Sequence, residues 1–163
     1  MAVHGPCSRK SKSRTGHGPA LNADVRRRPE RMRPEFEHAA RSGDAGAIED
    51  HLNAGVDVNS LDRHGQTALM LAAHGGSLDV VETLLRRGAR LDFTAKYGLS
   101  ALMLAIVAGH EKVALALVRA GADLSLLGTG APGFSGKSAY DLGLQQEMKD
   151  LCRVIVERQN AAV

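Results

Sequence analysis

Residues Asp62–Phe93 read DRHGQTALMLAAHGGSLDVVETLLRRGARLDF. Gly65 opens a turn, and Thr67 is a good N-cap for a helix beginning at Ala68. Leu69, Leu71 and the pair Ala72-Ala73 supply a small-residue face that lets a neighbouring helix approach closely. Gly75-Gly76 ends that helix, because glycine readily takes the left-handed conformation. Ser77 can cap a second helix, with Asp79 in its first turn at the positive end of the dipole. Val80, Val81, Leu84 and Leu85 then form a helical apolar stripe, which Arg86, Arg87 and Gly88 close. The stretch therefore predicts a turn, a short helix, a tight reversal and a longer helix.

The pattern returns 33 residues later. Gly65 recurs as Gly98, Thr67 as Ser100, Leu69 as Leu102, Ala72 as Ala105, Gly76 as Gly109, Leu84 as Leu117 and Gly88 as Gly121. A fixed period of this size is the signature of a stacked repeat. Upstream, Ala39-Ala40, Gly43, Leu52 and Gly55 keep the register, while Glu37 and His38 replace Met70 and Leu71. Polar residues there suit a terminal unit with one face in water. Downstream, Gly136, Ser138, Leu142, Leu151, Ile155 and Val156 continue the plan after an insertion of about five residues within Leu126–Ser135, LLGTGAPGFS. Helices are predicted near 67–75 and 77–87, and near 100–108 and 110–120, with strand confined to short turn hairpins.

The motif G-x-T-A-L-x-L-A-A-x-x-G at Gly65–Gly76, followed by V-V-x-x-L-L-x-x-G-A at Val80–Ala89, resembles the ankyrin repeat. The resemblance covers four units, about 34–61, 62–94, 95–125 and 126–158. It implies an all-α ankyrin-repeat solenoid of about four helix-turn-helix units over residues 34–158. Residues 1–33 would form a disordered basic tail and residues 159–163 a C-terminal tail. The chain departs from the family at T-P-L-H, which reads Thr67-Ala68-Leu69-Met70 and Ser100-Ala101-Leu102-Met103. Without the usual histidine those turns lose one hydrogen bond. The Asp that heads a unit is kept at Asp62 but is Ala95 in the third.

Charge is distributed unevenly. Nine Lys/Arg against Asp24 and Glu30 give residues 1–33 a charge of +7, while 12 basic and 16 acidic residues give the remainder −4. The tail is rich in Gly, Pro, Ser and Arg and poor in large apolar residues, too little to offset the entropy of ordering it. Its runs RKSKSR and RRRPER suit nucleic acid, an anionic membrane or a transport receptor, or merely a solvated arm. Two other readings stay open: a transit peptide, since no acid precedes Asp24, though the apolar residues lack helical spacing; and a true start at Met32. Cys7 and Cys152 lie far apart and form no disulfide framework, which points to a reducing compartment. No apolar run approaches the roughly 20 residues of a membrane span, and the N-terminus lacks the apolar core of a secretory signal. The expectation is a cytoplasmic monomer with no membrane association.

Two stretches imitate nucleotide sites. Ala131–Ser138 fits A/G-x4-G-K-S/T, and Gly128–Gly133 spells G-x-G-x-x-G. A phosphate loop needs a buried strand before it and a strand-borne acid after it. Leu124–Leu127 is a poor strand, and the repeat register already explains Gly136 and Ser138 as turn glycine and helix cap. The seven histidines show no metal-ligand spacing. His110 stands where the family has a histidine capping the second helix, and Cys152 aligns with Val81 as an inert core residue. No catalytic constellation, cofactor or metal is expected.

What remains is a binding surface. The solenoid implied by the resemblance has a concave face of turn tips and first helices. Carried over position by position, its exposed residues are Arg41 in unit one, and Arg63, His64, Gln66 and His74 in unit two. Unit three contributes Lys96, Tyr97, Leu99 and Val107, and unit four Phe134, Lys137 and Gln145. Tyr97, Leu99 and Val107 are apolar where solvent is expected, the mark of an interaction patch. The expected function is non-catalytic binding of a protein partner. The alternatives are a nucleotide-binding protein using 131–138, or an adaptor tethered to nucleic acid through the tail.

Overall fold

The computed structural model describes residues 30–130 and 132–161. Among them are eight α-helices in four antiparallel pairs. They are α1 (Pro34–Ser42) with α2 (Ala45–Asn53), α3 (Ala68–Gly75) with α4 (Leu78–Arg86), α5 (Ala101–Val107) with α6 (Glu111–Ala120), and α7 (Ala139–Gln145) with α8 (Lys149–Ala161). The first helices stack as one layer, α1 on α3 on α5 on α7, and the second helices as another, α2 on α4 on α6 on α8. Strand structure among the described residues is limited to isolated bridges, two of which close the turn fingers: Leu61 with Thr67 and Thr94 with Ser100. The predicted all-α solenoid and the period of its helices are as the sequence indicates.

The first helices carry the core. Ala68–Ala73 are all buried, as are Ala101–Ile106, because each of these helices is enclosed by a neighbour on either side and by its own second helix. Met70 and Met103, each 1% exposed, are core residues and do not face the groove. Second helices bury one stripe: Val80, Val81 and Leu84 on α4, and Val113, Leu117 and Val118 on α6. The last pair leaves apolar surface open, with Leu144 and Val156 exposed.

Caps set the helix starts. Thr67 accepts from the Met70 N–H at 3.3 Å and Ser100 from the Met103 N–H at 3.4 Å. Ser138 and Asp141 form a reciprocal capping box on α7. These Ser138 bonds, and after them the Lys137 charge, hold the Asp141 carboxyl below the ordinary aspartate range. Second helices start differently. Asp44 accepts from the Ala47 N–H, whereas Ser77 and His110 make no cap bond to their own helices, contrary to the sequence expectation. Both reach back to the preceding unit. The His110 Nε2–H donates to the His74 carbonyl at 3.1 Å, and the ring lies against Gly76, where an added Cβ would sit 2.5 Å from Nδ1.

Residues 30–33, assigned to the tail by sequence, run instead beside Leu61, at the base of the finger that Leu61 and Thr67 close. Met32 is buried, its N–H donates to the Leu61 carbonyl at 2.7 Å, and the Leu61 N–H donates to Glu30 at 2.9 Å. Met32 supplies apolar surface over α1 that the composition of the tail as a whole conceals. At the other end α8 continues through Ala161, into the expected C-terminal tail. The expected disorder of residues 1–29 lies outside the described residues.

Two substitutions test this packing. Leu84 is fully buried, so Leu84→Ala is expected to destabilise by about 2–5 kcal/mol in chemical denaturation, with the loss spreading to adjoining pairs. Gly65 (φ +75°) and Gly76 (φ +74°) share a left-handed backbone, but only Gly76 has a side chain against it. Gly65→Ala should therefore lose about 1 kcal/mol. Gly76→Ala should lose distinctly more, and the excess should shrink in a His110→Ala background.

Candidate functional site

The fingers between one unit's second helix and the next unit's first helix project from the two layers. The second finger is organised by Asp62, whose Oδ1 accepts from the N–H groups of His64 at 2.7 Å and Gln66 at 2.8 Å. Its side chain is fully enclosed, and Oδ2 has no hydrogen bond. The Arg41 guanidinium, 3.6 Å away, supplies the compensating charge. Arg41 also donates to Glu37 at 3.1 Å, so this residue of the expected surface set serves as a tie between units one and two.

At the third finger Ala95 has no carboxylate to offer, and the chain compensates from elsewhere. Tyr97 adopts φ +67°, and its carbonyl accepts from the Thr129 N–H at 2.6 Å. The inserted segment thus covers the finger that lacks its aspartate. The insertion is closed on itself by the Gly128 N–H to the Lys137 carbonyl and the Gly136 N–H to the Gly128 carbonyl, both 2.9 Å. Phe134 is half-buried and packs on the hydrophobic core.

The same geometry bears on the phosphate-loop resemblance. Among the described residues no strand precedes the segment. The N–H groups of Gly136 and Lys137 are bonded to Gly128 and Phe134, and that of Ser138 to Asp141 at 2.8 Å. Three of the amides that would cradle a phosphate are thus already committed. Among the described residues no group of three His, Cys, Asp or Glu side chains is arranged to hold a metal ion. Cys152 is buried, and burial, with the nearby Glu111 charge second, pushes its thiol pKa up, away from the thiolate that nucleophilic chemistry needs.

Of the expected surface residues, His64, Gln66, Lys96 and Tyr97 come together along a groove of about 260 Å³ between the second and third fingers. Leu99 and Leu104 form part of its lining. The Lys96 ammonium sits 4.9 Å from the centre of the Tyr97 ring, a cation–π contact. The Arg63 Nε–H donates to His64 Nε2 at 2.9 Å, and Arg63 lines an adjoining groove of about 490 Å³ with Arg31, Met32, Arg33, Pro34 and Glu37. Arg41, His74, Val107, Phe134, Lys137 and Gln145 line neither groove.

Among the apolar residues of the expected set, exposure fails at three positions. Leu99 is 7% exposed and belongs to the core, because the residue before the Ser100 cap turns inward as the finger joins α5. Val107 is half-buried against the core. Phe134 is half-buried as well, a side chain that seals rather than projects. Tyr97, at 42% exposed, is the one large apolar side chain of the expected patch that stays open to solvent. Arg31 and Arg33 are at the surface beside Arg63 but carry no repeat signature; the basic run in the sequence was their sole signal.

No described helix is long and apolar enough to cross a membrane. None of the curated proteins compared with the chain matches it. A family model of ankyrin repeats, spanning three copies, matches residues 36–127. The match covers more than half of the 163 residues and the first three helix pairs. The fourth pair, α7 and α8, stacks on them in the same two layers. By motif, match and architecture together, the chain belongs to the ankyrin-repeat family.

Proposed function

We propose that this protein is a non-catalytic interaction module that binds a protein partner on the surface of its finger tips and first helices. Ankyrin repeats generally mediate protein–protein interaction. The observation that carries the proposal for this chain is the groove between the second and third fingers. There an exposed aromatic ring and an exposed lysine are held in mutual contact on a finger that the inserted segment braces. A side chain positioned before binding loses little entropy on association, and aromatic anchors dominate interface energies. Arg63, His64, Lys96 and Tyr97 form the centre of the proposed surface. Gln66 lines it, and Arg41, His74, Val107, Lys137 and Gln145 lie outside its centre. Leu99 supports it from beneath.

Affinity capture with the full chain, compared with a Lys96→Glu, Tyr97→Ala variant of unchanged circular dichroism, tests this. Partners retained by the native chain and lost with the variant are expected; an identical set from both would refute the assignment. Phe134→Ser is expected to lower stability by about 1–2 kcal/mol, because it removes a half-buried ring from the core edge. Binding of the captured partner at a temperature where the variant is folded should persist.

A further inference from the structure

The fingers and first helices of the two middle units, residues 62–76 and 95–109, contain a single carboxylate, Asp62. Its side chain is fully buried and committed to its own turn and to Arg41. The same stretches carry Arg63, His64, His74 and Lys96, all exposed. The other acidic side chains of these units fall elsewhere: Asp79 and Glu82 on α4, Glu111 on α6, and Asp92 and Asp123 just after the second helices. In the adjoining groove Arg31, Arg33 and Arg63 stand with Glu37, which is paired to Arg41. Glu30 and Glu35 are exposed nearby but line neither groove. Residues 34–163 are acidic in sum, yet this face is basic.

Resting on the protein-binding reading above, we propose that the partner segment is an extended acidic peptide lying across the fingers. Stacked helices repeat about every 8–10 Å, and an extended chain advances about 3.3 Å per residue. One carboxylate at every third position would therefore meet one cationic position after another, at Arg31/Arg33 before α1, Arg63 on the second finger and Lys96 on the third. Apolar residues between them would settle on Met32, Leu99 and Leu104, which line the grooves. Nucleic acid fits less well. Single strands bind through stacked bases on open aromatic faces, and the exposed ring on these fingers, Tyr97, already carries the Lys96 ammonium on its face.

The test uses the full chain and a fluorescein-labelled peptide of about twelve residues, with Glu at every third position and Val and Ala between, read by anisotropy at about 0.05 and 0.15 M salt. The expected result is saturable binding that weakens with salt. It should fall at least about tenfold with Arg63→Glu or Lys96→Glu, by less with the Ala variants, and at least about tenfold with a Gln-for-Glu peptide. Both residues are exposed, and circular dichroism verifies that the variants fold. Because every variant keeps the basic residues 1–29, affinity unchanged by both charge reversals would place binding on that segment and overturn the proposal. So would a single-stranded oligonucleotide of equal charge that binds more tightly and is lost in the same variants. A Gln peptide that binds equally well and shifts the same amide resonances at Gln66 and Tyr97 would overturn the acidic specificity alone. If neither peptide shifts those resonances, the acidic-peptide proposal is overturned, while the protein-binding reading stands or falls by the affinity capture.

Discussion

No unit of this chain can bury its own apolar face. A pair of helices seven to thirteen residues long presents too little surface to itself, so each first helix must pack on the first helix of a neighbouring unit, and α3 and α5 on one at either side. That constraint selects the residues. Ala72-Ala73 and Ala105 are fully buried where first helices meet, since only small side chains let two backbones approach while larger ones, such as Leu69, Met70 and Leu102, fill the space beside them. Stability is then a sum over neighbours rather than a property of any one pair.

Polar bonds fix the spacing that packing allows. The Asn59 side chain accepts from the Arg90 N–H at 2.8 Å, and one unit later Asp92 accepts from the Asp123 N–H at 2.9 Å. Each rung satisfies a backbone donor just past a second helix with a side chain from the unit before. The parallel helices α6 and α8 exchange a further pair. Glu111 accepts from the Leu151 N–H in the first turn of α8, at 3.3 Å. Arg158 returns two bonds of 2.8 Å to the carbonyls of Val118 and Ala122 at the end of α6. An acid at a helix start and a cation at a helix end each oppose the local dipole, so these bonds serve charge as well as hydrogen-bond satisfaction.

The third finger shows how a lost local interaction is replaced by a distant one. Where the Asp62 side chain holds its own turn, Ala95 has only its backbone bonds with Leu99 and Gly98, and the Tyr97 carbonyl is engaged by Thr129 from the insertion. A glycine of the finger itself permits the approach: a Cβ on Gly98 would lie 3.0 Å from the Thr129 hydroxyl and 3.1 Å from the Leu127 carbonyl. The fourth unit differs again at its reversal, where Glu147 takes the left-handed φ of +56° that Gly43, Gly76 and Gly109 take in the other three.

The sequence by itself determined the repeat, the helix boundaries and the caps of α3, α5 and α7. Thr67, Ser100 and Ser138 act within three residues of themselves, and the apolar spacing of Val80, Val81 and Leu84 encodes one helical face. These are local properties, legible wherever φ/ψ preference and side-chain periodicity suffice. Placement between units was decided only in three dimensions. Leu99 is buried, Val107 and Phe134 pack on the core, Met32 docks beside Leu61, and Arg31 and Arg33 join Arg63 around one groove. His110 and Ser77 have the chemistry of caps, yet they turn to the preceding unit. In each case the deciding contact joins residues about thirty or more apart in the chain or follows a finger's path back into the stack. A linear pattern records which side chains are apolar or charged, whereas exposure depends on what the neighbouring unit covers.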